Sequence, residues 1–335
     1  MKSSSTERGA VYNDTDSFHV QWHLTEACNL RCRHCYREGY RRECTAVQRR
    51  AIATRLVAFA AGRGARLSVA LTGGEPFLVP DVYDLADALC AAGGEPLVSF
   101  ITNGTVPMDV PRLHALPSLT TVYVSLEGPE AANDAVRGAG AYAAAMRGIL
   151  ALSRAGLRVG VMTTMMRSTV GALTRSWGEF SAQLAGAGVS ELILERFVPV
   201  GAAAGIRDEV ASVGDIRTLY AAIAREQGVA PGLLSGFKAL RVMLEDASGA
   251  ADSPVLYGAV CTSGRDGCAV LCDGTVYPCR RLPLPLGNIL DDVTENMFPV
   301  DVPGYGSVND PFGCRAMARA CASDAGMTAA CHELV

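Results

Sequence analysis

The sequence lacks an apolar run long enough to cross a membrane. A spanning helix needs about 18 or more consecutive apolar residues, and here each apolar run is broken earlier by Arg or Gly, as at Arg63 and Arg66 after Ala61. The N-terminal segment also lacks the continuous apolar core of a secretory signal. We therefore predict a cytoplasmic protein with no membrane partner, whose residues 1–16 form a flexible tail.

The sequence also lacks an excess of positive charge. Its 335 residues include 30 Lys and Arg against 34 Asp and Glu, a formal net charge of −4 at pH 7. Proteins that bind a phosphate backbone present a clustered basic face, whereas the basic residues here are scattered among acidic ones. We expect no nucleic-acid partner. A chain of this length can bury one large core, or a large domain beside a smaller one.

Cysteine, in contrast, is plentiful. The chain has 12 cysteines. Disulfide frameworks are typical of short secreted chains, and in a long chain without a signal sequence clustered cysteines more often bind metal.

Short β-rich apolar runs alternate with longer segments of helical period between about residues 18 and 200. The predicted strands are Phe18–Leu24, Leu67–Leu71, Leu97–Ile101, Thr121–Leu126, Val159–Thr164 and Glu191–Phe197. The predicted helices between them are Thr45–Ala61, Asp81–Ala92, Val110–Ala115, Ala131–Ala155 and Thr169–Gly186. Repeated βα units predict an α/β fold with a parallel sheet, either an open doubly wound sheet or a complete or partial barrel.

Residues suited to chemistry fall just past the predicted strand ends. They are Cys28, the segment Gly73 to Pro76, Asn103 with Gly104, and Glu127 with Gly128. In a barrel the carboxyl ends of the strands share one face, where catalytic loops gather. This placement favours a barrel over an open sheet.

The pattern changes towards the C-terminus. Further helices are predicted over Val213–Arg225 and Phe237–Asp246, and a hairpin around Asp273-Gly274. From Cys261 onward the density of Cys, Gly and Pro rises and helical period disappears. We predict a barrel over residues 17–212, a helical connection over residues 213–258 and a small cysteine-rich domain over residues 259–335.

Three cysteines stand close together after the first predicted strand. Cys28, Cys32 and Cys35 have the spacing Cys-x3-Cys-x2-Cys, and iron–sulfur clusters take thiolates from such short loops. Three ligands on a four-iron cube leave one iron open to a small chelating molecule. The alternative is a structural zinc knuckle, which needs a fourth ligand such as His34 or Cys44.

The spacing and its position resemble the signature of the radical S-adenosylmethionine (SAM) superfamily. The resemblance implies a partial (β/α)6 barrel and a primary 4Fe–4S cluster whose open iron binds SAM. An electron delivered by a donor such as flavodoxin or ferredoxin would then cleave SAM to a 5′-deoxyadenosyl radical, which abstracts hydrogen from an unactivated carbon.

Further segments match the family at its SAM site. Gly73, Gly74 and Glu75 resemble the segment that contacts the methionine ammonium, with Glu75 as acceptor. The other implied SAM contacts are Tyr36 near the adenine, Asn103, Ser125, Glu127 and Arg137. Glu127 departs from the Asp that many relatives carry. Packing or turn roles remain open for Tyr36 and Asn103, and a solvated helix charge for Arg137.

Seven cysteines follow residue 260, and they resemble the SPASM or twitch extension that carries auxiliary 4Fe–4S clusters. The segment from Cys261 through Asp273-Gly274 to Cys279 resembles its opening, but the downstream spacing departs from the full pattern. The implied ligands are Cys261, Cys268, Cys279, Cys314, Cys321 and Cys331. Seven thiols fill one auxiliary cluster with some left over, or two clusters with an open iron.

A leftover thiol, Cys272 or Cys268, suggests a hydrogen-atom donor, although a buried inert thiol is the ordinary alternative. We therefore predict a tailoring enzyme that epimerises a carbohydrate-like or aminoglycoside-like natural-product intermediate. The alternatives are a ribosomal-peptide-modifying enzyme and a non-catalytic metal-binding scaffold. Only 27 residues precede Cys28, which disfavours a peptide substrate that depends on a fused leader-binding domain.

Overall fold

The computed structural model describes residues 9–11, 17–37, 39, 41–230, 239–244, 256–259, 261, 263–264, 266–291 and 316. The strands are β1 (Gly9–Val11), β2 (Ser17–His23), β3 (Arg66–Thr72), β4 (Leu97–Thr102), β5 (Leu119–Ser125), β6 (Val159–Met165), β7 (Val189–Arg196), β8 (Ala239–Met243), β9 (Leu256–Ala259), β10 (Gly267–Val270), β11 (Thr275–Tyr277) and β12 (Gly287–Asn288). The α-helices are α1 (Ala46–Gly62), α2 (Val82–Ala91), α3 (Val110–Ala115), α4 (Glu130–Arg137), α5 (Ala141–Arg154), α6 (Arg167–Arg175), α7 (Trp177–Gly186) and α8 (Val213–Glu226).

The centre of the fold is a parallel sheet in sequence order. Strands β2 to β7 each pair in parallel with the next one, and α1 to α7 lie in the connections between them. The six predicted strands are therefore all present. Alternate side chains of these strands, such as Val69 and Leu71 of β3, are wholly buried beneath the helices. A right-handed βα connection returns each strand parallel to its neighbour, so the carboxyl ends of β2 to β7 gather at one edge.

Two predicted helices are each divided in the structure. The segment predicted as Ala131–Ala155 forms α4 and α5, separated at Gly138 and Gly140, whose φ angles of +107° and +78° end one helix and begin the next. The segment predicted as Thr169–Gly186 forms α6 and α7, which meet at Ser176. Alanine-rich composition predicted helix correctly at both places but did not locate the breaks.

The helix predicted over Phe237–Asp246 is wrong within the described residues. Ala239–Met243 is instead strand β8, which pairs antiparallel with β7. A short apolar run suits either a buried strand or part of a helix, and here the exposed edge of β7 provides ladder partners. Residues 237–238 and 245–246 lie outside the described part of the chain.

The C-terminal segment joins the same sheet beside the cysteine-bearing strand. Strand β10 pairs in parallel with β2, with Gly267 opposite His19. It then pairs antiparallel with β11 through a turn at Asp273-Gly274, which confirms the predicted hairpin. Across the ranges that the structure describes, no helix is long and apolar enough to cross a membrane. The division into four segments stays a prediction.

Candidate active site

A cavity opens at the carboxyl ends of the parallel strands. Its empty volume is about 1090 Å³ with the open mouth included. Nine of the predicted site residues line it: Cys28, Cys32, Cys35, Tyr36, Gly73, Gly74, Asn103, Ser125 and Arg137. Five separate stretches of sequence therefore meet at one place.

The three thiols lie half-buried in the loop after β2, and each accepts a side-chain N–H. The donor–sulfur distances are 3.8 Å from Asn103 Nδ2 to Cys28, 3.8 Å from Arg137 Nη1 to Cys32 and 3.2 Å from Arg37 Nε to Cys35. In the described part of the chain, no three His, Cys, Asp or Glu side chains converge on a single metal ion. Three thiols in one short loop, each with an N–H donor, fit a 4Fe–4S cube, because each thiolate ligand of such a cube binds a different iron.

Gly73 and Gly74 bring the end of β3 against the cysteine loop. Gly74 N donates to Thr25 O at 2.6 Å, and Glu75 N donates to Ala27 O at 2.9 Å. A Cβ atom on Gly74 would lie 2.0 Å from Ala27 O, which is far inside any real contact. The two glycines are thus required for the loop to pack on the strand, and they leave backbone facing the cavity.

Glu75 lies behind the cavity wall and is not among its lining residues. Its carboxylate is wholly buried and accepts hydrogen bonds from Thr102 Oγ1 at 2.7 Å and from Asn103 N at 2.8 Å. Burial raises the pKa of Glu75, although these hydrogen bonds oppose the shift. In this structure the carboxylate joins the ends of β3 and β4 and orients Asn103, rather than reaching into the cavity.

Glu127 also lies outside the cavity lining, where it holds the side chains of Arg137 and His34 in place. It is wholly buried and accepts hydrogen bonds from Arg137, from His34 Nε2 at 3.0 Å and from Thr164 N at 2.6 Å. Burial alone would raise the pKa of Glu127, but Arg137 and His34 outweigh it and lower the pKa to about 2. Glu127 is therefore a carboxylate that fixes Arg137 beside Cys32.

The comparisons with known proteins agree with this geometry. A family model described as Radical SAM superfamily matches residues 22–169. Mycofactocin maturase MftC of Mycobacterium ulcerans is 30% identical over 311 residues, which cover 87% of this chain and 77% of the relative. The chain belongs to the radical SAM superfamily. AdoMet-dependent heme synthase of Nitratidesulfovibrio vulgaris is 28% identical over 284 residues, 81% of this chain and 75% of that protein.

The solved structure of Streptococcus suis SuiB bound to precursor peptide SuiA has the same fold as this radical SAM chain. It has a TM-score of 0.64 at 15% identity and covers 90% of this chain and 70% of its own. The predicted radical SAM fold is thereby confirmed. Membership also confirms the predictions of an enzyme that uses SAM and a 4Fe–4S cluster. The three thiols and the cavity-facing backbone at Gly73 and Gly74 fit these cofactors.

The far wall of the cavity in this radical SAM protein contains residues that the sequence analysis did not identify. Arg281 donates to Glu195 Oε2 at 2.9 Å and to Arg196 O at 3.1 Å. The Arg280 guanidinium lies over the Tyr36 ring, 5.1 Å from its centroid. Both arginines directly follow Cys279 in the sequence, and that adjacency was the one available signal. They connect the segment after β11 to the two ends of the parallel sheet.

The cysteines predicted as hydrogen donors do not line this cavity. Cys268 is 5% exposed within the main apolar core, and burial raises its pKa strongly. Cys272 is buried, and burial, reinforced by Glu26, raises its pKa to about 12.

Of the predicted auxiliary ligands, Cys261 and Cys279 are half-buried and lie outside the cavity lining. Cys261 Sγ donates to Ser263 Oγ at 3.3 Å. Cys314, Cys321 and Cys331 lie outside the described residues. The auxiliary ligand set stays a prediction.

Proposed function

We propose that this protein is a radical SAM enzyme that modifies a peptide. The observation that carries the proposal is the similarity to a maturase over 87% of the chain at 30% identity. That similarity extends beyond the residues needed for SAM chemistry, because the family model covers only residues 22–169. The similarity to the maturase therefore also includes residues outside the segment that the family model matches.

The cavity residues divide into two groups in the proposed reaction. The three thiols of the loop after β2 would hold the cluster, and Gly73, Gly74, Asn103, Ser125 and Arg137, which line the same cavity, would hold SAM. When bound, these cofactors supply a 5′-deoxyadenosyl radical that takes a hydrogen atom from an unactivated carbon. Glu127 keeps Arg137 at the cluster side, and Glu75 keeps Asn103 there. The electron arrives from a donor such as flavodoxin or ferredoxin.

The cavity also has lining residues beyond those assigned to the cluster and SAM. Among them are Gln21, Glu195 and Arg281. Among the described strands, β7 pairs with β6 and β8, while β2 pairs with β3 and β10. Strands β2 and β7, at the two ends of the parallel sheet, are therefore joined by side chains such as Arg281 rather than by backbone hydrogen bonds. An opening of this kind supports entry of an extended peptide at the carboxyl edge.

The carbohydrate epimerase hypothesis receives less support. It depended on a thiol that returns a hydrogen atom to the substrate radical, and such a thiol must reach the cavity. Cys268 and Cys272 are the predicted donors, and both are buried and absent from the cavity lining. We therefore favour a peptide substrate over a carbohydrate. We also propose that Cys261 and Cys279 are ligands of an auxiliary cluster and that the enzyme acts in the cytoplasm.

The test compares two substrate classes on the same enzyme. Full-length protein is reconstituted anaerobically and used to select binders from a displayed library of random peptides. The recovered peptides and a panel of aminoglycosides are then incubated with SAM and dithionite. We expect the peptides to increase 5′-deoxyadenosine release and to change in mass or chirality, while the Cys32→Ala protein does neither. Stimulation by aminoglycosides alone would overturn the proposal.

A further inference from the structure

The three cluster thiols receive donors of unequal strength. Asn103 offers a neutral amide to Cys28 at 3.8 Å, whereas Arg37 offers a guanidinium to Cys35 at 3.2 Å. A charge-assisted hydrogen bond is roughly twice as strong as a neutral one. The contact between Arg37 and Cys35 is therefore the shortest of the three, and it has a charge that the contact between Asn103 and Cys28 lacks.

Arg137 is the other cationic donor, but its charge is matched inside the protein. Its guanidinium forms an ion pair with the wholly buried Glu127, and Nη1 lies 3.8 Å from Cys32 Sγ. Arg37 instead donates to a carbonyl and to a thiol. Its positive charge interacts with the thiols of Cys35 and Cys28 and, less strongly, with the Glu26 carboxylate.

The position of Arg37 does not depend on a ligand. Its Nη1 donates to Glu26 O, which precedes the first cysteine of the loop, while Nε reaches the last cysteine. The backbone is held as well, because Ala202 N donates to Arg37 O at 2.8 Å. Arg37 thus joins the beginning and the end of the loop and lines the cavity.

We propose that Arg37 raises the reduction potential of the primary cluster through its hydrogen bond to Cys35. One-electron reduction makes the cluster more negative, and hydrogen bonds and positive charge at the sulfurs stabilise the reduced form more than the oxidised form. The guanidinium stays protonated at all working pH values, so this effect is constant. Arg37 is a positioning residue for the electron-transfer step, and its role is independent of the substrate.

The test is an EPR-monitored redox titration of the full-length, anaerobically reconstituted protein. The signal that SAM perturbs is assigned to the primary cluster, and a Cys28→Ala, Cys32→Ala, Cys35→Ala triple variant identifies signals from other clusters. Arg37→Met removes the donor and the charge. Arg31→Met is the matched control, because Arg31 lies in the same loop and donates to the carbonyls of Cys28 and Leu30 at 2.8 and 3.0 Å.

We expect Arg37→Met to lower the reduction equilibrium constant by about tenfold, which is about 59 mV for one electron. Arg31→Met should lower it by less than half as much, since it removes equal charge without a thiol contact. An unchanged potential in Arg37→Met, or equal shifts in both variants, would overturn the proposal. If the Arg37→Met protein fails to incorporate iron, the reduction potential of the Arg37→Lys protein tests the proposal instead.

Arg37→Lys retains the positive charge, but a single ammonium cannot bond both Glu26 O and Cys35 with the geometry of the guanidinium. We expect a smaller decrease in the reduction equilibrium constant, of about threefold. A potential equal to that of the unaltered protein would contradict the proposed hydrogen bond. Iron and sulfide contents measured on every sample separate a change in potential from a loss of clusters.

Discussion

The loop after β2 and the β10–β11 hairpin carry thiols in opposite surroundings, although their strands are hydrogen-bonded neighbours. The loop thiols Cys28, Cys32 and Cys35 are half-buried, face the cavity and receive N–H donors. Cys268 and Cys272 are buried and outside the cavity lining, and burial raises the pKa of both; it also raises the pKa of Cys32, where the Arg137 guanidinium opposes the shift. Thiolates need stabilising donors or cations, whereas an apolar environment keeps a thiol protonated and inert. Surroundings therefore separate ligand thiols from core thiols here.

The largest effect is expected from the loop thiols themselves. Cys32→Ala removes one of three cluster ligands, so we expect 5′-deoxyadenosine formation to fall to background and the iron content to decrease. Chromatography of the SAM cleavage products and iron analysis provide the measurement. Appreciable SAM cleavage by this variant would contradict the distinction between the two groups of thiols.

A second test removes the packing that shapes the loop and leaves every thiol in place. In Gly74→Ala the new methyl group would lie 2.0 Å from Ala27 O, so the loop must shift away from β3. A displacement of about 1 Å at a reacting centre costs about 10²-fold in rate, and we expect a loss of this size in SAM cleavage. Gly62→Ala is the control, because no atom lies within 4 Å of its added Cβ. Equal rates in both variants would contradict the role of the glycine.

A third test concerns the carboxylate behind the loop. Glu127→Gln leaves the buried Arg137 without its charge partner, and we expect a loss of about 3 kcal/mol in unfolding free energy, seen as a lower urea midpoint. Glu75→Gln is the control, since Glu75 is equally buried but accepts only from Thr102, Asn103 and Phe77. Similar midpoints for the two variants would show that the ion pair with Arg137 is not the stabilising contact.

The smallest effect on chemistry is expected in the hairpin. Cys268→Ala removes a buried thiol from the apolar core, so we expect a loss of about 1 kcal/mol in stability. SAM cleavage should stay within about twofold of the unaltered protein, because the side chain does not reach the cavity. A rate loss comparable with that of Cys32→Ala would place Cys268 among the cluster ligands or the reacting groups.

The sequence predicted the parts of this site that local patterns determine. The spacing of Cys28, Cys32 and Cys35 indicated a cluster, and the apolar runs indicated all six parallel strands. Strand β8 was missed because a short apolar run carries no decisive period, and pairing with β7 determines its conformation. The helix breaks at Gly138 and Ser176 were also missed.

Long-range side-chain pairs were the other gap. Arg37 had no assigned role and His34 was considered only as a ligand of the alternative zinc site, yet His34 contacts Glu127 and Arg37 contacts Cys35. The ion pair between Arg281 and Glu195 joins residues 86 positions apart, and the sequence contains no pattern that relates them. Glu75 and Glu127 were predicted at the correct strand ends. Only the structure shows that neighbouring side chains and backbone N–H groups already donate hydrogen bonds to both carboxylates.

The pairing of β10 with β2 has a consequence for biosynthesis. The loop thiols leave the ribosome before Asp273, which holds Arg41 at 3.0 Å, and before Cys272, whose carbonyl accepts from Cys44 N at 2.7 Å. A nascent chain that has emerged only as far as α8 therefore contains the three cluster thiols but lacks the contacts of Asp273 with Arg41 and of Cys272 with Cys44. Because contacts between elements so distant in sequence form late in folding, we expect these contacts to reach the loop only after its three thiols have been made.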